Sequence, residues 1–207
     1  MNLTFHHLSC PCTADFRVAK HNTVVEILGQ GIQSLLGASN KVQIEKKFPN
    51  QDSGTRPDIT ITTNGARYFI DVTIVNPACS SSVAHGSSRN VLATATYAEA
   101  AKRRKYANTL RVANVPGHRF IPFAIEATGR LGNEAANFLK LVASESIHED
   151  RTKQRYLHYC KKRMRAAILR GNAWAKNSFL LNLVEMRGKG DIKEVHNDFV
   201  EETKADR

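Results

Sequence analysis

Cysteine is scarce in this chain and poorly placed for cross-linking. The 207 residues hold four, Cys10, Cys12, Cys79 and Cys160, too few and too scattered for the disulfide framework of a small secreted domain. No apolar run approaches the length that crosses a bilayer. The opening MNLTFHHLSCPC has no basic stretch followed by an apolar one, so no secretory leader is expected, and a reducing compartment is the default. Internal repeats and low-complexity tracts are missing too. Negative charge is the other shortage: 19 Asp and Glu stand against 30 Lys and Arg, a formal charge of +11. So basic a surface favours polyanions, of which nucleic acid is the commonest inside cells. The competing view is a merely basic soluble protein.

What is present follows a readable order. Length and a hydrophobic fraction of 42% suit one domain with a proper core, or one domain and a small appendage. Asn22 can cap a helix in which Val24, Val25, Ile27, Leu28, Ile32, Leu35 and Leu36 recur at helical spacing, with Gly37 as its stop. Residues 41–48 alternate as an edge strand would. In TRPDITITTNGARYFIDVTIVNP (55–77), Asn64-Gly65 is a strong hairpin signal between two β-branched runs. It predicts strands 57–63 and 66–75, with Thr63 facing Ala66. Ile59, Ile61, Ile70, Val72 and Ile74 then share a core face; Asp58, Thr60, Thr62, Arg67, Phe69, Asp71 and Thr73 share the other.

The Ser- and Gly-rich stretch 76–90 reads as a mobile loop. A helix over 94–110, a Pro116-Gly117 turn and a strand over 118–127 follow, the strand's Pro122 requiring an edge position or a bulge. Another helix spans 133–143, and 149–183 is helical and strongly basic, with Tyr156, Tyr159, Met164, Ile168, Leu169 and Trp174 among its charges. Helix, three strands, helix, strand, helix predicts an α/β fold, a mixed sheet sandwiched by helices. The expected organisation is a His/Cys-rich segment (1–21), a core (22–147), a basic helical extension (148–187) and a flexible polar tail (188–207).

The hairpin register sets Asp58 against Asp71, and facing carboxylates repel unless something positive lies between them. A divalent cation would do, and hard oxygen ligands select Mg²⁺ or Mn²⁺. Such an ion polarises a phosphodiester and acidifies a bound water. Glu26, in VVEIL, is a candidate third ligand or water-orienting group, or else an exposed helix residue. Phosphodiester chemistry also calls for a positive group near the phosphate. Arg56, beside the aspartates in register, is one candidate; Tyr97, Lys102 and Lys105 of YAEAAKRRKY (97–106) are others.

These residues resemble a known signature. RPD, a second Asp in DVT and the order αβββαβ resemble the PD-(D/E)xK nucleases. HHLSCPC…KHNTVVEIL, RPDI…FIDVTIVNP, YAEAAKRRKY and FIPFAIEATGRLG look like the restriction-endonuclease-like domain of non-LTR retrotransposon polyproteins, from about His6 to about Leu183. The resemblance implies a metal-dependent DNA endonuclease that nicks target DNA for target-primed reverse transcription, in the nucleus. It maps Asp58 and Asp71 to metal ligands, Arg56 to the basic residue before the motif, and Lys102 or Lys105 to a lysine moved from strand to helix. Thr73 stands where the standard motif has lysine. The implied partners are double-stranded DNA, with RNA and the reverse transcriptase of the same polyprotein as further candidates. A catalytically inactive nucleic-acid-binding module of the same fold is the alternative.

Two further clusters carry weaker signals. His6, Cys10, Cys12 and His21 are enough ligands for a tetrahedral Zn²⁺, and HHLSC looks like the His…Cys half of the knuckle preceding the nuclease core in the resembled family. Free thiols and a structural His21 are the competing reading. Arg103, Arg104, Lys161, Lys162, Arg163 and Arg165 are candidates for nucleic-acid contacts, beside Tyr97 and Arg56. The plainer view of the basic segment is an amphipathic helix with solvated charges.

Overall fold

The β-branched runs on either side of Gly65 pair as a hairpin at the centre of the sheet. The computed structural model describes residues 7–45, 56–63, 65–113, 117–146 and 148–189. Asn64, Pro116, His6 and the polar tail past 189 therefore lie outside the described residues. Ile59–Thr62 (β2) runs antiparallel to Arg67–Val75 (β3), with Ile59 opposite Ile70 and Thr62 opposite Arg67. That is the register the sequence predicts. Thr63 closes the turn twice: its N–H donates to the Ala66 carbonyl at 2.9 Å, and its Oγ1 accepts from the Ala66 N–H at 3.1 Å.

Lys41–Ile44 (β1) pairs antiparallel with β2, and His118–Glu126 (β4) pairs parallel with β3, giving the order β1-β2-β3-β4 in a mixed sheet. β4 is therefore an edge strand. Pro122 falls opposite Asp71, and its missing N–H costs little where no further strand needs it.

Helices cover both faces. Ala14–Leu36 (α1) lays Val24, Leu28, Ile32 and Leu35 against Ile59, Ile61, Ile70 and Phe123 in the main core. It starts a full two turns before Asn22, which correspondingly lies mid-helix rather than at a cap. The early turns escape hydrophobic patterning because their buried residue is Lys20, not an apolar side chain. The segment expected as a mobile loop contains a short helix, Ser80–Ala84 (α2). Ala93–Ala113 (α3) covers the opposite face, where Tyr106 stacks on Phe120 with ring centroids 4.7 Å apart and both join Phe69. Asn133–Ser144 (α4) starts where buried Glu99 of α3 accepts the Glu134 N–H at 3.1 Å, a carboxylate placed on the helix's unsatisfied first turn.

The basic segment forms one helix, Asp150–Lys189 (α5). Leu157, Cys160, Met164, Ala167 and Ile168 recur on one face and join the same core as α1 and the sheet, so the extension packs into the core instead of standing beside it. Tyr159, Leu169 and Trp174 face outward, as do Lys161, Lys162, Arg163, Arg165, Arg170 and Lys176. Ile168 is fully buried and Leu169 half-exposed. Urea unfolding is expected to show Ile168→Ala destabilised by about 2–5 kcal/mol and Leu169→Ala by roughly 0.5 kcal/mol or less. Equal effects would mean that α5 unfolds apart from the core.

Candidate phosphodiester site

Asp71 lies at the middle of β3, where the strand is covered by α3, and is buried. An isolated carboxylate there would be costly, so each oxygen has a partner. Lys102 of α3 brings Nζ to 2.8 Å from Oδ2. Tyr106, one turn further along the same helix face, donates its hydroxyl to Oδ1 at 2.6 Å. The phenol's pKa is driven up, first by its burial and then by its bond to Asp71, with Asp58 adding to the field; it stays a donor. Thr73 reaches Asp71 Oδ2 only at 3.5 Å.

Asp58 immediately precedes β2 and takes over part of the ladder with its side chain: Oδ2 accepts the Val72 N–H at 2.6 Å. His21 approaches from α1, with Nε2 3.4 Å from Asp58 Oδ2 and 3.1 Å from the Val72 carbonyl. Its Nδ1 is 3.3 Å from Asn22 Oδ1. Both ring nitrogens thus face acceptors, the environment of an imidazolium. The bond to Asp58 raises the His21 pKa to about 9 against the opposing effect of burial. The aspartates that should repel are in this way separately neutralised, Asp58 by α1 and Asp71 by α3.

No protein-family model and no curated protein matches the chain.

Several predicted site residues lie elsewhere. Glu26 turns to solvent a little over one helical turn beyond His21. Among the described residues no three His, Cys, Asp or Glu side chains gather to hold a metal ion; Glu26 does not complete a cluster with the aspartates. The same holds for the expected Zn²⁺ set. His21 is committed to Asp58, while Cys10 is buried with its thiol raised to about 11, chiefly by that burial, and lies 2.8 Å from the Cys12 sulfur. His6 is outside the described residues.

The Arg56 guanidinium pairs with Glu45 at 2.9 Å, although its carbonyl lies 3.4 Å from the Tyr106 hydroxyl, whose proton goes to Asp71. Lys105 points outward, its ammonium 5.4 Å from the Tyr106 ring centre. Tyr97 is half-exposed and stacks on His85 at 3.9 Å. Arg103 pairs with Glu134 of α4, and Arg104 is exposed. Lys161, Lys162, Arg163 and Arg165 are exposed along α5, where Lys161, Lys162 and Arg165 line a cavity of about 410 Å³ beside Gly129.

Tyr106 and the Asp58–His21 pair were missed as site partners. The i,i+4 spacing of Lys102 and Tyr106 was a usable signal for the first. Nothing local connects His21 to Asp58.

Because His21 is held protonated by the fold, it contributes stability that is complete below its ordinary pKa of 6.5 and lost as pH rises through about 9. NMR titration of the metal-free protein should give a His21 midpoint near 9, falling toward the ordinary value in Asp58→Asn. A midpoint unmoved by that substitution would remove Asp58 as the cause.

Proposed function

We propose that this chain is a metal-dependent DNA endonuclease domain of the PD-(D/E)xK, restriction-endonuclease-like kind, hydrolysing phosphodiesters to nick target DNA for a retroelement's target-primed reverse transcription in the nucleus. The observation that carries this reading is the convergence of Asp71 and Lys102 from different elements, beside Asp58. It supplies the lysine that Thr73 leaves missing from the strand. The order of helices and strands supports the same reading.

The donor set suits the ion this chemistry needs. Mg²⁺ is commonly held by one or two carboxylates, with water and substrate phosphate completing its shell, and two hard carboxylates are present here. Asp58 and Asp71 would hold Mg²⁺ or Mn²⁺, which when bound polarises the phosphodiester and lowers the pKa of water. The chain's own groups do the rest. Lys102 presents a fixed positive charge where negative charge builds on the phosphoryl oxygens. Tyr106 holds Asp71 in place, and the Val72 amide and His21 hold Asp58.

One observation favours the alternative, an inactive nucleic-acid-binding module: each carboxylate already has a cation from within the chain. Nicking of supercoiled plasmid in Mg²⁺ and in Mn²⁺ separates the two. An endonuclease should nick, and Asp58→Ala, Asp71→Asn and Lys102→Ala should each lower the rate by about 10²-fold or more while thermal melting shows them folded. No nicking in either metal, with salt-sensitive DNA binding intact in every variant, would leave the binding module. Asp71→Asn retaining wild-type nicking would overturn the assignment of the site itself.

A further inference from the structure

A cavity of about 390 Å³ opens between the first half of α1 and the end of β3, lined among others by Arg17, Lys20, His21, Thr73, Asn76 and Lys102. Four of these six can carry positive charge. His21 and Lys102 are matched by Asp58 and Asp71. The other two have no ion-pairing carboxylate among the described residues. Arg17 donates to the Cys10 carbonyl, and Lys20 donates to Asn172 Oδ1 at 2.7 Å, both neutral acceptors.

Lys20 is 7% exposed, and burying an ammonium without a counter-charge is costly. Burial and the nearby Arg17 charge lower its pKa to about 8. The fold nevertheless holds it firmly. A Cβ at Gly171 would come within 2.9 Å of the Lys20 stem, so this mid-helix glycine makes the room for it. The next residue, Asn172, accepts from the ammonium and donates its amide to the Ala127 carbonyl at 2.8 Å. Two consecutive positions of α5 thus hold a lysine that the core has no use for. An anion in the cavity would neutralise Lys20 and Arg17 together. His21 and Lys102 form the wall shared with the aspartate pair, so that anion would lie next to a phosphate held at Asp58 and Asp71.

We propose that the cavity is a phosphate subsite, in which Arg17 and Lys20 hold a backbone phosphodiester of the DNA strand adjacent to the one placed at the aspartates. The second half of this statement rests on the endonuclease reading; the anion site does not.

The test is equilibrium binding of a short fluorescein-labelled DNA duplex, followed by anisotropy in chelator over a series of salt concentrations. Each phosphate contact removed should lessen the slope of log affinity against log salt by about 0.9. Arg17→Gln and Lys20→Gln should each lessen the slope, and the double variant should lose about 0.9, because the two hold one phosphate between them; Arg17→Lys should keep the wild-type slope. Thermal melting establishes folding; should Lys20→Gln fail to fold, Arg17→Gln, at a half-buried position, reads the same quantity. Unchanged slopes in folded variants would overturn the proposal. Inorganic phosphate that raises the melting temperature of wild type but not of the Gln variants, with duplex slopes unaltered, would make this a free-anion site and overturn the strand assignment. Reduced slopes in a protein that never nicks would keep the anion site and discard the endonuclease; nicking with unaltered slopes would do the reverse.

Discussion

A carboxylate buried in the middle of a strand must be matched in charge, and at Asp71 this requirement organises one whole face of the sheet. Lys102 can reach it only if α3 crosses β3 and β4, and Tyr106 then meets the other oxygen because it lies one turn along the same face. The aromatic ring of Tyr106 packs with Phe69 and Phe120, so one side chain serves both polar balance and packing. α3 in turn caps α4 through Glu99 and pairs with it through Arg103 and Glu134. Breaking the pair at Asp71 would leave a charge of either sign without its partner, which typically costs about 3–5 kcal/mol.

Asp58 carries the same requirement toward α1. Its carboxylate replaces a ladder acceptor for Val72, and the imidazolium that balances it comes from α1. The placement of α1 depends on α5, whose apolar stripe fills the space behind it and whose Gly171 and Asn172 accommodate Lys20. The long basic helix is therefore part of what positions the site. The turn after β4 links the two cavities, contributing Ala127 to the one with Lys20 and Gly129 to the one lined by Lys161, Lys162 and Arg165.

Most of the fold was legible because its signals are local. Ile and Thr alternation with Asn64-Gly65 determined the hairpin and its register, since side chains repeat every second residue and the loop length admits no slip. Pro122 marked an edge strand for want of an N–H. The start of α1 was not legible: its first turns bury the stem of Lys20 against a glycine of α5, a contact across 151 positions of sequence that no periodicity records. The helix over Ser80–Ala84 was hidden by residues that favour loops on their own.

For the site, the sequence by itself determined that two aspartates stand near each other on the hairpin, that a lysine helix follows, and that excess positive charge favours a polyanion. Those are consequences of strand register and composition. Only the tertiary structure decided which cation serves which carboxylate. Lys102 and not Lys105 reaches Asp71, because helical phase turns the second outward. His21 meets Asp58, and Glu26 is left facing solvent. Charge pairing acts over a few ångströms in space, and the packing of α1 and α3 on opposite faces sets those distances.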